Sequence, residues 1–202
     1  MVSAVLLAAG ASTRMGRPKL LLPLGGDPLV RHAARALCQT GVDEVLVVTG
    51  VDHDRIAAAL DGLPVRFAVN PDFASGMGSS FRTGVEQVRG SDAALFALAD
   101  QPFLTPADYG RLLTIWQRQA PIIVGSRFGD VTAPPHLFAR ALYPELAALT
   151  HGARSVLQRH HDEMVVVSFP AELLMDVDTP EDYARAQARL AGGHPLPPPA
   201  AG

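Results

Sequence analysis

Apolar runs and amphipathic stretches take turns along the first half of the chain. Residues 2–9 are apolar except for Ser3, which is how a strand buried on both faces of a parallel sheet reads. Residues 27–40 put Val30, Ala33, Ala34, Leu37 and Cys38 on one helical face, with Asp27 and Pro28 placed to cap and start the helix and Gly41 to stop it. Residues 44–49 read as a second buried strand, 52–60 as a short alanine-rich helix ended by Gly62, and 65–69 as a third strand. A helix running to about Val88 comes next. Residues 93–99, apolar throughout, then form a strand central to the sheet, and Thr105-Pro106 opens a helix to about Gln119. Such alternation implies right-handed crossovers with helices on both faces. The expected fold is a single-domain, Rossmann-like three-layer α/β sandwich around a mostly parallel sheet.

The second half is less regular. It predicts a strand at 121–125, a turn and loop at 126–135, and a helix over 136–149 with a break at Pro144. A strand at 164–169 follows, then a short one at 174–178 that sets Asp176 and Asp178 on one face. Thr179-Pro180-Glu181-Asp182 opens the last helix with an N-cap, a proline and first-turn acids. The domain is expected to span 1–191. The glycine- and proline-rich remainder, 192–202, neither propagates a helix nor donates a strand ladder and is expected to be a mobile appendage.

Chemistry concentrates where strands end. After the first strand, Gly10, Ala11, Ser12 and Gly16 let backbone N–H groups approach an anion, and Arg14, Arg17 and Lys19 add charge to meet a polyphosphate. Taken alone, the stretch leaves a solvated basic loop as the lesser alternative. A Walker loop is excluded, because five residues separate Gly10 from Gly16 and Arg17-Pro18 replaces the lysine and hydroxyl. A dinucleotide fingerprint, and with it a nicotinamide dehydrogenase, fails at Ser12, at Pro18 and at the second strand's end in Val48-Thr49-Gly50. The loop after the third strand brings Ser75, Gly76, Gly78, Ser79 and Ser80 to a helix N-terminus, a place for an anion or a base carbonyl. As ordinary turn chemistry, Ser79 or Ser80 would simply cap that helix. No Gly-x-Ser-x-Gly elbow occurs, which removes a serine hydrolase. Asp100 ends the central strand, where a carboxylate is costly unless paired or metal-bound, and Thr105 already caps the helix that follows.

The string Leu7-Ala8-Ala9-Gly10-Ala11-Ser12-Thr13-Arg14-Met15-Gly16-Arg17-Pro18-Lys19 resembles the signature of the MobA-like nucleotidyltransferases. Its Leu7-Ala8-Ala9-Gly10 form is most similar to the molybdenum cofactor cytidylyltransferase branch. The resemblance runs from Val2 to about Ala188 and implies a fold of the nucleotide-diphospho-sugar transferase type. It implies that Leu7, Ala8, Ala9, Gly10, Ala11, Ser12, Arg14 and Lys19 bind an NTP, with Asn70, Gly76, Met77 and Ser80 at its base and sugar. Asp100, in Ala99-Asp100-Gln101-Pro102, is implied to hold Mg²⁺ together with Asp178 of the Asp-x-Asp-Thr-Pro-Glu-Asp motif, Asp176 being the weaker candidate. Lys19, Arg14 and Asp100 become the catalytic set. Gln101, Pro102, Arg127, Pro135, His151, Arg154 and Asp176 are expected on the acceptor side. There relatives commonly carry Gly-x-Pro and Gly-Asp-x-Gly-Ala-Arg, whereas this chain has Ala133-Pro134-Pro135 and Thr150-His151-Gly152-Ala153-Arg154.

The implied reaction moves NMP from an NTP to the terminal phosphate of molybdopterin or its molybdate-loaded form. CTP is favoured because Ala9 stands where guanylyl-transferring relatives usually have a second glycine. GTP or another phosphorylated acceptor is the alternative within enzymes, and a non-catalytic maturation chaperone for a molybdoenzyme the alternative outside them.

Bulk properties narrow this picture a little further. A 202-residue chain with 48% apolar content and a net charge of −3 suits one globular domain, with no nucleic-acid partner and no membrane partner expected. No apolar run reaches the roughly 18 residues of a transmembrane helix, and residues 1–20 lack a signal-peptide pattern. The lone Cys38 reads as a small hydrophobe at a helix end, suiting a reducing cytoplasm. The histidines do not pair at metal-ligand spacing, and His160 and His161 cannot share a helix face. A monomer or weak homodimer is expected.

Overall fold

A computed structural model describes residues 1–193 and 196. In chain order the elements are β1 (Val2–Ala8), β2 (Pro23–Leu24), β3 (Asp27–Pro28), α1 (Leu29–Cys38), β4 (Glu44–Thr49), α2 (His53–Ala59), β5 (Val65–Val69), α3 (Met77–Gln87), β6 (Ala93–Leu98) and α4 (Pro106–Gln119). The second half adds β7 (Ile123–Phe128), β8 (Val131–Thr132), β9 (His136–Ala139), α5 (Tyr143–Ala147), α6 (Arg154–Arg159), β10 (Met164–Phe169) and α7 (Pro180–Ala191).

The main sheet runs β10-β7-β9-β6-β1-β4-β5, with β8 hairpinned onto β7. β1 lies between β4 and β6, parallel to both. Its alternation sorts side chains to two cores: Ala4, Leu6 and Ala8 join Leu37, Ile56, Tyr109 and Tyr183, while Val5 and Leu7 join Phe81, Leu146 and Val156. Helices therefore cover both faces. Buried Ser3, the one polar residue of the strand, donates its hydroxyl to Glu44 Oε1 at 2.6 Å. Among the described residues no helix is long and apolar enough to cross a membrane.

Four expectations are corrected. Asp27 does not cap α1. The β2–β3 hairpin draws Asp27 and Pro28 into a two-residue ladder, Pro28 becomes the N-cap, and the Asp27 carboxylate pairs with Arg35 instead. The strand placed at 121–125 begins at Ile123 and continues to Phe128, because it pairs in parallel with β10 along its whole length. Residues 136–149 are not one helix: His136–Ala139 is a strand inserted antiparallel between β6 and β7, and only Tyr143–Ala147 is α-helical, with Pro144 in its first turn. Residues 174–178 form no strand and run as an extended strap. The tail from residue 192 lies outside the described residues apart from Gly192, Gly193 and Leu196.

Candidate active site

The loop leaving β1 folds back on itself through Ser12, whose φ of 53° is the left-handed backbone that only glycine adopts freely. Its carbonyl accepts from the N–H groups of Met15 at 3.1 Å and Gly16 at 3.2 Å, and its hydroxyl oxygen accepts from Lys19 N at 3.2 Å. The backbone N–H groups of Gly10, Ala11, Ser12, Thr13 and Arg14 find no acceptor among the described residues. They form a row of free donors at the carboxyl end of a central strand.

The fold-back drops Lys19 into the sheet's end. Its ammonium donates to Asp100 Oδ2 and to Asp178 Oδ1, each at 2.6 Å, with the lysine side chain only 9% exposed. Arg14 donates to the other Asp178 oxygen at 2.9 Å from a largely exposed position. Burial works against the charged lysine, but the neighbouring Asp100 charge and hydrogen bonds to both carboxylates outweigh it and hold the ammonium above the usual lysine range. Arg17, by contrast, turns away and lies over the Tyr183 ring.

Asp178 reaches this point from the strap before α7. Val177 N donates to the Asp100 carbonyl at 3.1 Å, and the Asp178 N–H is taken by Asp182 Oδ2 at 3.1 Å. Thr179 and Asp182 complete a capping box, so the start of α7 is stapled beside β6. One oxygen of Asp100, Oδ1, is buried without a partner among the described residues.

Beside this triad lies a cleft of about 250 Å³. Leu7, Ala8, Ala9, Gly10, Lys19, Gly76, Met77, Ser80 and Asp100 line it, and Leu20, Phe73 and Leu98, which the sequence reading missed, line it too. Those three are apolar side chains next to the motifs, and apolarity by itself did not separate them from core. Ala11, Ser12 and Arg14 stand outside the cleft wall. Asn70 is buried and its amide is fully engaged, donating to Ser79 Oγ at 2.8 Å and Ser80 Oγ at 3.0 Å and accepting from Asp72 N at 2.9 Å. It holds the start of α3 rather than facing the cleft, and the N-cap there is Gly76, not Ser79 or Ser80.

A wider pocket of about 800 Å³ adjoins, with Met77 and Leu98 common to both. His151 and Arg154 line it together with Gln158, His161, Asp130 and an apolar floor that includes Phe81, Leu157 and Met164. The other residues expected on the acceptor side lie elsewhere. Gln101, Pro102 and Pro135 are buried, Arg127 is exposed on β7, and neither they nor Asp176 line this pocket. Pro135 instead accepts the Ser126 hydroxyl at 2.6 Å, and Gln101 donates to Asp176 at 2.8 Å.

Among the described residues no three His, Cys, Asp or Glu side chains gather to hold a metal unaided. Asp100 and Asp178 nonetheless fit a hard divalent ion. They offer oxygen donors around one cation position, and the unpartnered Asp100 Oδ1 leaves a lone pair unclaimed. An ion with few protein ligands completes its shell from water and substrate phosphates.

A mostly parallel sheet with free loop amides at its central strand, and two aspartates paired with the lysine that ends that loop, defines a domain of the nucleotidyltransferase class. The model of the MobA-like NTP transferase domain matches residues 4–164, and the chain belongs to that family. It is similar to the purine catabolism protein PucB of Bacillus subtilis, 31% identical over 192 residues that cover 89% of this chain and 92% of that protein. It is also similar to the nicotine blue oxidoreductase of Paenarthrobacter nicotinovorans, 44% identical over 113 residues, a match that spans 55% of each chain. Among solved structures, a nucleotidyl transferase from Methanothermobacter thermautotroptrophicus superposes with a TM-score of 0.80 at 27% identity, covering 95% of this chain and 98% of that one. Rv0371c of Mycobacterium tuberculosis, in a complex with manganese, gives 0.78 at 27%, covering 93% and 98%.

Proposed function

We propose that the chain transfers a nucleoside monophosphate, CMP by preference, from an NTP to the terminal phosphate of a pterin-type acceptor such as molybdopterin. An acceptor phosphate oxygen attacks the α-phosphorus, the bond from that phosphorus to the bridging oxygen breaks, and pyrophosphate leaves with the electron pair. The attacking group is already an anion, so no general base is required. Positioning and charge neutralisation carry such a step.

The observation that carries this reading is Lys19 between Asp100 and Asp178, at the end of a glycine loop whose backbone amides are free and whose Ser12 hydroxyl accepts from Lys19 N. In the reaction those amides receive the β- and γ-phosphate oxygens, and Lys19 and Arg14 neutralise the charge that grows on pyrophosphate. The apolar faces of Phe73, Leu98 and Met77 bound the cleft on the side where a base and sugar would lie. His151 and Arg154 offer donors to an anionic acceptor in the wider pocket, whose apolar floor suits a ring system. Mg²⁺ held by Asp100 and Asp178 would supply Lewis-acid stabilisation of the phosphoryl oxygens. Manganese in the complex of a structural neighbour supports a divalent ion of that kind. The CTP preference rests on Ala9 and on the resemblance to the cytidylyltransferase branch.

Pyrophosphate release from purified protein with each NTP, Mg²⁺ and molybdopterin tests the proposal. Release with CTP alone supports it. Release with GTP assigns the guanylyl variant, and binding without release assigns the non-catalytic maturation chaperone. The similarity to a protein named nicotine blue oxidoreductase favours a second reading, a redox reaction on a compound of the nicotine blue kind bound in the wide pocket. Consumption of nicotine blue with an added chemical reductant, dependent on the protein, and no pyrophosphate with any NTP, would establish it instead.

A further inference from the structure

Gln101 and Asp176 are unused by the mechanism above, and neither lines the cleft or the wide pocket. They are joined to each other. Gln101 is 1% exposed, at the corner where β6 ends, and its Nε2 donates to Asp176 Oδ1 at 2.8 Å. The next residue of the strap, Val177, is fully buried and donates its N–H to the Asp100 carbonyl at 3.1 Å. Residues 174–178 have no ladder of their own, so these ties stand in for one, gripping the strap at two successive residues just before Asp178. Across an extended segment successive side chains point to opposite sides. Asp176 and Asp178, two apart, therefore share one side of the strap, and holding Asp176 against Gln101 sets the Asp178 carboxylate toward Lys19 and Asp100.

We infer that Gln101 and Asp176 are positioning residues, a brace that sets the Asp178 carboxylate opposite Asp100 so that a divalent cation meets both. The inference rests on the nucleotidyl-transfer reading, in which that cation accompanies the NTP. A strap attached only at α7 would let Asp178 swing with its helix cap. The brace instead fixes it to the same strand end that carries Asp100, so the two carboxylates share one frame. Outer contacts of this kind orient metal ligands, and removing them typically weakens metal binding by about 10- to 100-fold.

Three variants test the brace: Asp176→Ala, which removes the acceptor; Asp176→Asn, which keeps an oxygen for Gln101 but removes the charge; and Gln101→Met, which keeps the buried length without the donor. Each is titrated with Mn²⁺ in the presence of CTP, following free Mn²⁺ by electron paramagnetic resonance, and separately with CTP in EDTA. Melting temperatures are recorded alongside. Asp176→Ala and Gln101→Met should weaken Mn²⁺ binding about tenfold or more, with metal-free CTP affinity unchanged, and Asp176→Asn should restore most of it. Unchanged Mn²⁺ affinity in Asp176→Ala overturns the brace, as does an Asp176→Asn variant as weak as Asp176→Ala, which would assign a charge effect. Because Asp176 is exposed, its two variants decide the matter even where Gln101→Met fails to fold. No Mn²⁺ binding by the unsubstituted protein with CTP overturns the nucleotidyl-transfer reading and the brace together. Binding that all variants share overturns the brace alone.

Discussion

Lys19 and Asp178, 159 positions apart in the chain, meet at 2.6 Å, and the same ammonium meets Asp100 at 2.6 Å. A cation of the protein's own thus occupies the position between two carboxylates that a divalent ion would need.

Lys19 must therefore leave for a metal to enter, and incoming phosphates give it somewhere to go. Lys19→Met should raise the Mn²⁺ affinity of the nucleotide-free protein by about tenfold or more, since one buried positive charge no longer competes for the site. The same variant should lower turnover by about a hundredfold, having lost a phosphate contact. Calorimetric Mn²⁺ titration and pyrophosphate release check the two halves. Weaker metal binding in the variant would show that Lys19 does not stand in for the ion.

Asp100→Ala should lower turnover by about a hundredfold or more while the protein stays folded, because Asp178 still neutralises the buried lysine. Steady-state pyrophosphate release and thermal melting measure both. Full activity would remove Asp100 from the mechanism.

Gly78 carries a different kind of constraint. A Cβ built there would lie 2.2 Å from the Leu149 carbonyl oxygen and 2.6 Å from the Thr150 carbonyl carbon, far inside contact distance. Gly78→Ala must push the 149–152 loop, with His151, away from the start of α3. We expect a loss of about 1–3 kcal/mol in stability and a rise in the acceptor KM that exceeds any rise in the NTP KM. Denaturant unfolding and two-substrate kinetics test this.

His136 sets a pH dependence of stability. Burial alone drives its imidazole from near 6.5 down to about 4, so it is neutral in the fold, where Nδ1 accepts from Ser126 N. Between those two values the unfolded chain holds a proton that the folded chain does not, so stability is complete above the upper value and falls as pH falls. The loss by the lower value is about 3 kcal/mol. Burial lowers the His32 pKa as well, adding in the same direction. Denaturant unfolding at successive pH values should show the slope, and His136→Asn, which keeps an acceptor for Ser126, should reduce it. An unchanged slope in that variant would place the proton uptake elsewhere.

Much of the architecture was legible because it follows from local pattern. Continuous apolar runs at β1, β4 and β6 can only be strands covered on both faces, and Thr105 and Thr179 announce their helices through capping boxes that the structure contains. His136–Ala139 was not legible. A short apolar run beside a helical pattern has no periodicity of its own, and it is a strand because β6 and β7 leave it a slot with partners on both edges.

The sequence by itself determined the parallel α/β layering, the small-residue loop after β1 and the acid at the end of β6, since these depend on residue type and near neighbours. Only the tertiary structure decided that Asp178 joins that acid across Lys19, that Gln101 and Asp176 bind each other instead of lining the wide pocket, and that Asn70 spends its amide on α3. Such pairings join residues far apart in the chain. They are set by which strand ends and helix starts the sheet order brings side by side, and spacing along the sequence carries no record of that.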